Sequence, residues 1–266
     1  MPAFAGMTIL SLLPGLQASA WNAAGHQIVA QIAESQFTIR EQKQLREKMG
    51  DWVPKAADPD LFAEKSKLMA NWHFIDYPWV DEPVTNSLIL VKNQNNIVWA
   101  LKESKKALSV KLIPGLKDFD SVAVANLVHF VGDIHQPLHC ISRVTEKHPK
   151  GDKGGNLFYV MHDGQKLKLH YFWDGGLGLL ESLNPDAVRK LTSDISKEFP
   201  KNTLKLSGSF EDWSKESYDY AKDQVYKTTE GKSVSKDYIT KGQQLAKQRL
   251  AQAGYRLADV LRELFL

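Results

Sequence analysis

The chain has one cysteine among its 266 residues. That thiol, Cys140, cannot form an internal disulfide, so the fold is not a disulfide-stapled scaffold. A structural zinc site of the Cys-rich kind is also excluded, because it needs several thiolates. Cys140 itself is expected to behave as a small buried hydrophobic residue.

Charge of one sign and long apolar runs are also scarce. The net charge is +3, from 34 Lys and Arg against 31 Asp and Glu residues. This mild bias is compatible with a polyanionic substrate but is far from that of a protein that coats nucleic acid. The apolar run at 8–16 is too short to cross a membrane, and no other stretch is a candidate span. With no internal repeat, linker or low-complexity tract, we expect a single domain.

The first 20 residues have the form of a secretory signal peptide. The apolar core at 8–16 is followed by Ala18-Ser19-Ala20, which fits the small-x-small cleavage rule. A Lys or Arg before the apolar core is missing, which departs from the usual pattern. We expect removal of 1–20 on export to the periplasm or the medium, leaving a mature domain over 21–266. That domain is expected to be monomeric and without stable membrane association.

Most of the mature chain carries helical signals. Thr38 to Glu41 form a capping-box pattern, and Gly50 would end the helix that follows. Asn184-Pro185 is an N-cap followed by proline at the first helical position. Apolar spacing predicts further helices over 86–108, 186–198, 209–228 and 235–264. Trp99, inside the first of these, is expected to be a core residue.

One segment departs from the helical pattern. Asp163-Gly164 lies between two apolar stretches, which is a strong signal for a β-hairpin. The predicted fold class is therefore all-α, or mainly α: one multi-helix domain with a small hairpin around 157–169.

The densest chemistry lies in residues 129–139, which read His-Phe-Val-Gly-Asp-Ile-His-Gln-Pro-Leu-His. On a helix, His129 and Asp133 are one turn apart and share a face. Pro137 should end that helix near Gln136, so that His139 lies on the next turn of chain. This arrangement favours metal binding over a buried helix with incidental histidines.

Other segments supply side chains of the same kind. His170 and Asp174 again have i, i+4 spacing, His73 lies among aromatic residues, and His26 follows the new N-terminus at Trp21. The candidate ligands are five histidines and three aspartates together with that terminus: His26, His73, His129, His139, His170, Asp58, Asp133 and Asp174. Nitrogen and oxygen ligands without thiolate are typical of a hydrolytic zinc cluster.

These motifs, in this order, resemble the secreted zinc-dependent nucleases: the fungal single-strand nucleases, the plant bifunctional nucleases and their bacterial relatives. Zinc phospholipase C of bacteria is a more distant resemblance. The shared motifs run through most of the mature chain. Besides the histidine segments they include Gly154-Gly155-Asn156, Trp213-Ser214-Lys215-Glu216-Ser217 and Ala253-Gly254-Tyr255-Arg256-Leu257-Ala258.

The resemblance implies a phospholipase C/nuclease-like fold and three Zn²⁺ ions. The first zinc would be held by Asp58, His73, His129 and Asp133. Asp133 would bridge to a second, held by His26 and by the amine and carbonyl of Trp21. The third would be held by His139, His170 and Asp174. His135, His148 and His162 match no ligand of the family and are expected to be structural or surface residues.

The activity implied is phosphodiester hydrolysis of single-stranded DNA and RNA to 5′-phosphorylated products, with 3′-nucleotidase activity on nucleotides. Asp58 and Asp133 would be the catalytic carboxylates, Asp58 also orienting the attacking water. Phe74 would stack a base, with Asp76 and Asn156 completing the pocket. Because a stacked base must be unpaired, single strands are preferred. The alternative for Phe74 is core packing.

Two residues depart from the family pattern, which has Trp-Ala-Asp and then a basic residue three positions on. Ala56 stands in place of the Trp and Leu61 in place of the basic residue. A phosphate contact is thus lost or supplied by Lys55 or Lys65. Two other functions stay open: a zinc phospholipase C acting on lipid head groups, and a zinc-binding protein without catalysis.

Overall fold

The computed structural model describes residues 21–63, 67–81, 92, 94–110 and 117–266; the predicted signal peptide lies outside them. The helices are α1 Ala23–Glu34, α2 Ile39–Met49, α3 Asp58–Ala63, α4 Lys67–Ala70, α5 Ile97–Ser109, α6 Lys117–Asp133, α7 Leu169–Asp174, α8 Pro185–Glu198, α9 Phe210–Tyr220 and α10 Lys236–Phe265. The strands are β1 Pro78–Val80, β2 Ser142–Val144, β3 Tyr159–His162 and β4 Gln165–Lys168. The prediction of a mainly α fold is confirmed.

The core is built where α1 packs against α10 and α8, and where α5 and α10 pack against α6. The two helices α1 and α10 approach closely at Gly254, where an added Cβ would lie 2.5 Å from Ile32. The apolar side chains on these faces, including Ile28, Leu250 and Leu257, are fully buried. Burial of this contiguous apolar surface fixes the position of α1 relative to α6. Both helices carry site residues.

Local signals placed several elements correctly. Thr38 caps α2 through a capping box with Glu41, and the cap after Met49 is Gly50 at φ 71°. Asn184 accepts from the Ala187 N–H at the start of α8. β3 and β4 pair antiparallel across Asp163 and Gly164, whose φ values of 47° and 76° suit the type I′ turn that Asp-Gly favours.

Two helix predictions were wrong in extent. α5 begins at Ile97, and Asn96 caps it by accepting from the Val98 and Trp99 N–H groups. The earlier start at residue 86 fails at 92 and 94–96, which are not helical; 86–91 and 93 lie outside the described residues. The predicted 209–228 helix divides into α9 and a π-helical turn, Ala221–Val225.

Trp99 is not the core residue that was expected. Its side chain is 36% exposed, and its ring centroid lies 5.7 Å from that of Trp72. The buried face of α5 is formed by Ile97, Val98, Ala100, Leu101 and Leu108, and Trp99 lies on the other side of the helix.

The helix of the histidine-rich segment ends before Pro137, as predicted, but three residues earlier than Gln136. α6 ends at Asp133, Gln136 accepts from the Leu138 N–H, and a 3₁₀ turn runs over Pro137–Cys140. β2 follows and pairs in parallel with β1, a small sheet that the sequence did not predict. Among the described residues no helix has both the length and the apolar character needed to cross a membrane.

Candidate metal centre

A fully buried carboxylate, Asp133, lies at the centre of the first cluster. Its Oδ2 atom is 2.9 Å from His73 Nδ1 and 3.3 Å from His129 Nε2. Its Oδ1 atom is 3.2 Å from Nε2 of His26, on α1. The two oxygens face different imidazoles, as the oxygens of a carboxylate shared by two cations would.

The second carboxylate of this cluster is Asp60, not Asp58. Asp60 Oδ1 lies 3.3 Å from His129 Nε2 and 3.8 Å from His73 Nδ1. Asp58 is the first residue of α3, and within the described part of the chain it joins none of the His/Asp groups able to hold a metal ion. Residues two positions apart on a helix differ in direction by about 200°, so the side chains of Asp58 and Asp60 point to nearly opposite sides.

Backbone carbonyls fix the tautomer of three histidines. The contacts, each from Nδ1 to a carbonyl oxygen, are His129 to Ala56 at 2.8 Å, His139 to His73 at 2.6 Å and His170 to Gly154 at 2.6 Å. Because a carbonyl oxygen only accepts, Nδ1 carries a proton in each ring. Nε2 is then the nitrogen left to bind a proton or a cation.

A second cluster lies on the 3₁₀ turn and on α7. His170 and Asp174 are one helical turn apart, and His139 faces them. The two Nε2 atoms of His139 and His170 are 3.1 Å apart; Asp174 oxygens lie 3.9 Å and 3.6 Å from them respectively. Two facing lone pairs at this distance repel each other unless a positive charge lies between them.

Orphaned polar atoms indicate that a cation fits the first cluster. His26 Nδ1 and Nε2 and Asp133 Oδ1 are buried without a hydrogen-bond partner, although the last two lie only 3.2 Å apart. Burying unpartnered polar atoms is costly, and a cation between them removes that cost. Three groups with ligand atoms within 4.8 Å of one another meet this need: His26, His129 and Asp133; Asp60, His73 and His129; and His139, His170 and Asp174.

Burial and neighbouring charges separate the pKa values of the carboxyls. Burial by itself would raise the pKa of Asp133, but the charge of His129 and hydrogen bonds from the histidines hold it well below its usual range. Burial would also raise the pKa of Asp60, but the charge of His129 and its hydrogen bond lower that pKa to about 2. Burial raises the pKa of Asp174 well above its ordinary value. The first cluster therefore keeps two ionised carboxylates ready for a cation.

The histidines divide in the same way. Burial opposes a charge on His129, but Asp133 and Asp60 raise its pKa well above 6.5, so a proton or a cation belongs beside its Nε2. Burial and the charge of His139 lower the pKa of His170 to about 3. Burial likewise lowers the pKa of His139. Both rings of the second cluster are thus neutral, which is the form that binds metal.

Residue 21 lies against both clusters. The Trp21 indole is fully buried and donates from Nε1 to the Gly132 carbonyl at 3.1 Å, one residue before Asp133. The next residue, Asn22, donates its backbone N–H to the Asp174 carbonyl at 3.0 Å. A terminus at Trp21 would therefore begin beside the backbone of Gly132 and Asp174.

The predicted base pocket adjoins the first cluster. Phe74 and Asp76 are half-buried beside His73, and the Phe74 carbonyl accepts from the Ile97 N–H at 3.1 Å. Burial and the charge of Asp152 raise the pKa of Asp76 to about 7. Asn156 donates from Nδ2 to the Lys153 carbonyl at 3.0 Å.

The Gly-Gly-Asn turn reaches the second cluster through its glycines. Gly154 has φ 60°, a Cβ there would lie 2.2 Å from the Leu138 carbonyl oxygen, and its own carbonyl accepts from His170. Only glycine permits that backbone conformation at so close an approach.

Residues predicted to lie outside the site do so. His135 uses both ring nitrogens elsewhere: Nδ1 donates to the Val131 carbonyl at 2.7 Å, and Nε2 accepts from Arg256 at 2.7 Å. Burial and the charges of two arginines hold the pKa of His135 well below its ordinary value. His148 and His162 pair with Glu230 and Asp163. Cys140 is buried, which raises its thiol pKa.

A sequence model of the S1/P1 nuclease family matches residues 21–266. The chain belongs to the S1/P1 nuclease family. Among similar proteins, endonuclease 2 of Arabidopsis thaliana is 27% identical in an alignment of 277 positions, gaps included. That alignment covers 92% of this chain and 90% of that protein. Endonuclease 4 of the same plant is 28% identical over 285 residues, with 92% and 89% covered. Nuclease S1 of Aspergillus oryzae is 24% identical over 279 residues, with 90% and 89% covered.

As an S1/P1 nuclease, the chain is a hydrolase that acts on nucleic acid as a single-strand nuclease. The resemblance inferred from the motifs is confirmed. Within the described residues, the three His/Asp groups could hold metal ions.

Proposed function

We propose that this nuclease cleaves the phosphodiester bonds of single-stranded DNA and RNA with three zinc ions, leaving 5′-phosphorylated products, and that it removes the phosphate of 3′-nucleotides. The observation that carries the proposal is the buried imidazole and carboxylate set, with its orphaned atoms at His26 and Asp133. These are the ligand types that zinc prefers, and the set holds no thiolate that would close a structural site.

The proposed ligand sets keep the assignment that the resemblance implies, with Asp60, a member of one of the three groups, in place of Asp58. The first zinc takes Asp60, His73, His129 and Asp133; the second takes His26, Asp133 and the amine and carbonyl of Trp21; the third takes His139, His170 and Asp174. Asp58 is left without a catalytic role. Asp60, which lies beside the imidazoles, takes over the expected part in orienting water.

Zinc bound there supplies Lewis acidity, which brings the pKa of water toward neutrality and neutralises charge on phosphate oxygens. The protein supplies orientation. Carbonyl oxygens hold the rings of His129, His139 and His170 with Nε2 inward. Gln136 donates from Nε2 to Asp174 Oδ1 at 2.7 Å, which keeps that carboxylate aimed at the third position.

Substrate recognition is proposed to rest on Phe74, with Asp76 and Asn156 at the base edge. Stacking tolerates every base, so weak sequence preference and a requirement for unpaired strands follow. The partners are then single-stranded DNA, RNA and nucleotides, bound by a monomer without stable membrane association.

Export is part of the proposal. The family match begins at residue 21, where the small-x-small rule puts the cleavage point. Removal of 1–20 in the periplasm or outside the cell would free the amine that the second zinc needs.

The test compares substrates and metal states with protein that starts at Trp21. Single-stranded DNA, duplex DNA and short-chain phosphatidylcholine are assayed with zinc, after chelation and after zinc is restored. We expect cleavage of the single strand, loss on chelation and recovery with zinc. Preferential hydrolysis of the lipid would favour the phospholipase alternative, and three bound zinc ions without any turnover would favour the non-catalytic one.

A further inference from the structure

The two metal clusters are joined by a linker of three residues: Ile134, His135 and Gln136. Asp133 ends α6 at one end of it, and the 3₁₀ turn that carries His139 begins just after the other. The linker is buried, and its conformation sets the separation of Asp133 from His139. Gln136 extends this control to Asp174 through its 2.7 Å hydrogen bond.

Arg249 of α10 binds the backbone of this linker. Its guanidinium is fully buried and donates from Nε to the His135 carbonyl at 3.1 Å. One terminal nitrogen donates to Ser217 Oγ at 2.8 Å, and that hydroxyl donates in turn to the Ile134 carbonyl at 2.5 Å. Two consecutive linker carbonyls are thus held by one side chain, directly and through one hydroxyl.

The other donors of Arg249 are also satisfied. Its Nη1 atom donates to Glu216 Oε2 at 2.8 Å and to Gln252 Oε1 at 2.7 Å. Arg256 shares the same Glu216 oxygen and donates to the His135 ring. Each of the three guanidinium nitrogens of Arg249 thus makes at least one hydrogen bond. If the linker moved, the guanidinium could follow it only by breaking some of these bonds.

Stability alone does not account for this network. Two buried arginines share one carboxylate, and apolar residues of similar volume are often as stabilising in such places. What an apolar residue cannot do is hold the carbonyls of His135 and Ile134 in one direction. Both carbonyls belong to the 134–136 linker, which is the shortest stretch of chain between the two clusters.

We propose that Arg249 is a positioning residue for the metal centre: by fixing the 134–136 linker it sets the geometry of Asp133 and His139 relative to each other. The inference rests on the proposed zinc-dependent function. Arg249 touches none of the proposed ligands and acts only through the linker.

The test uses two substitutions at neighbouring positions of α10. Arg249→Met removes the donors and keeps a long side chain; Leu250→Ala removes apolar volume from a fully buried position and leaves the hydrogen bonds from Arg249 to the linker in place. Both should lower Tm. Zinc per chain is then counted by mass spectrometry of the native protein, zinc affinity is measured by chelator competition, and the visible spectrum of the cobalt-substituted protein is recorded. These three measurements are made at a temperature at which circular dichroism shows that each variant is folded.

We expect the weakest-held zinc of Arg249→Met to bind roughly 10- to 100-fold less tightly, as on loss of other groups that orient metal ligands. The cobalt spectrum should change, and Leu250→Ala should match wild type in both. Equal affinity and spectrum in Arg249→Met would overturn the inference. A wild-type chain that binds no zinc would instead overturn the proposed function.

Ser217→Ala covers the case in which Arg249→Met does not fold. It removes the hydroxyl between Arg249 and Ile134 at little cost in volume. A smaller loss of zinc affinity in the same direction supports the linker role, and unchanged affinity with unchanged spectrum contradicts it.

Discussion

At the scale of single residues, the choice between two aspartates decides the first metal position. Asp58 and Asp60 flank Pro59, and the structure turns only Asp60 toward the imidazoles. Asp58 is the first residue of α3 and Asp60 the third, so their side chains leave the helix in nearly opposite directions.

Asp60→Asn and Asp58→Asn form a matched pair for testing this assignment. Asp60→Asn should lose zinc and lower cleavage by roughly 100-fold or more, because it removes a charged ligand from a buried cluster. Asp58→Asn should keep wild-type zinc content and activity within about twofold, since it alters a position outside the cluster. The reverse ranking of the two variants would restore Asp58 as the ligand.

Phe74 is the second residue whose role is open to a direct test. Phe74→Ala should weaken binding of a single-stranded oligonucleotide by about 1–3 kcal/mol, the usual value of one stacked base. Zinc content should not change, and Phe74→Tyr, which keeps the ring face, should bind nearly as wild type. If Phe74→Ala lowers Tm while binding is normal, the side chain is a core residue.

At the scale of elements, α1 and α6 meet where the metal ligands are densest. Gly132 on α6 lets the His26 ring lie against the helix, because a Cβ there would be 2.8 Å from His26 Nδ1. The His26 ring also stacks on His129, with centroids 3.8 Å apart, so His129 restricts its movement. Backbone proximity between the two helices is thus a condition of the site.

Gly132→Ala should therefore act on metal binding, although alanine favours helices by up to about 1 kcal/mol over glycine. We expect weaker zinc binding and less cleavage as the His26 ring is displaced. Gly254→Ala on α10 is the matched control: its Cβ meets Ile32 at 2.5 Å, away from the ligands. It should cost about 1–3 kcal/mol of stability, seen in urea unfolding, and leave zinc binding intact. Normal zinc affinity in Gly132→Ala would show that the ring adapts.

At the scale of the whole molecule, the site joins segments that are far apart in sequence. Its candidate ligands run from residue 21 to residue 174, on α1, α3, α6, α7 and the 3₁₀ turns Asn71–His73 and Pro137–Cys140. The proposed start of the mature chain lies beside this assembly, because the Trp21 indole donates to Gly132 and the Asn22 N–H donates to Asp174. Processing at residue 20 would thus act on the site itself.

Protein carrying an extra Met before Trp21 tests that link. An amide nitrogen cannot bind zinc as an amine does, because its lone pair is delocalised into the peptide bond. The extended protein should bind one zinc fewer and lose most single-strand cleavage, while Trp21 still packs and Tm changes little beyond the lost metal. Zinc per chain and cleavage rate are compared with protein that begins at Trp21. Equal values would leave Trp21 as a packing residue only.

The sequence by itself determined the features that depend on neighbours along the chain. The i, i+4 pairs His129 with Asp133 and His170 with Asp174 converge because a helix repeats every 3.6 residues. Pro137 ended α6, and Asp163-Gly164 set the hairpin turn, through local steric limits on the backbone. These limits act within a few residues and need no partner from elsewhere.

Tertiary structure decided what depends on the direction in which an element packs. Asp60 rather than Asp58 reaches the histidines because α3 turns that face toward α6. Trp99 is exposed because α5 packs with Leu101 and Leu108 toward the core, which leaves Trp99 on the opposite side of the helix. Arg249 reaches the linker because α10 packs beneath it, 114 residues away in sequence. Such contacts arise from burial of apolar faces over long separations, and no local pattern of residues specifies which polar groups then meet.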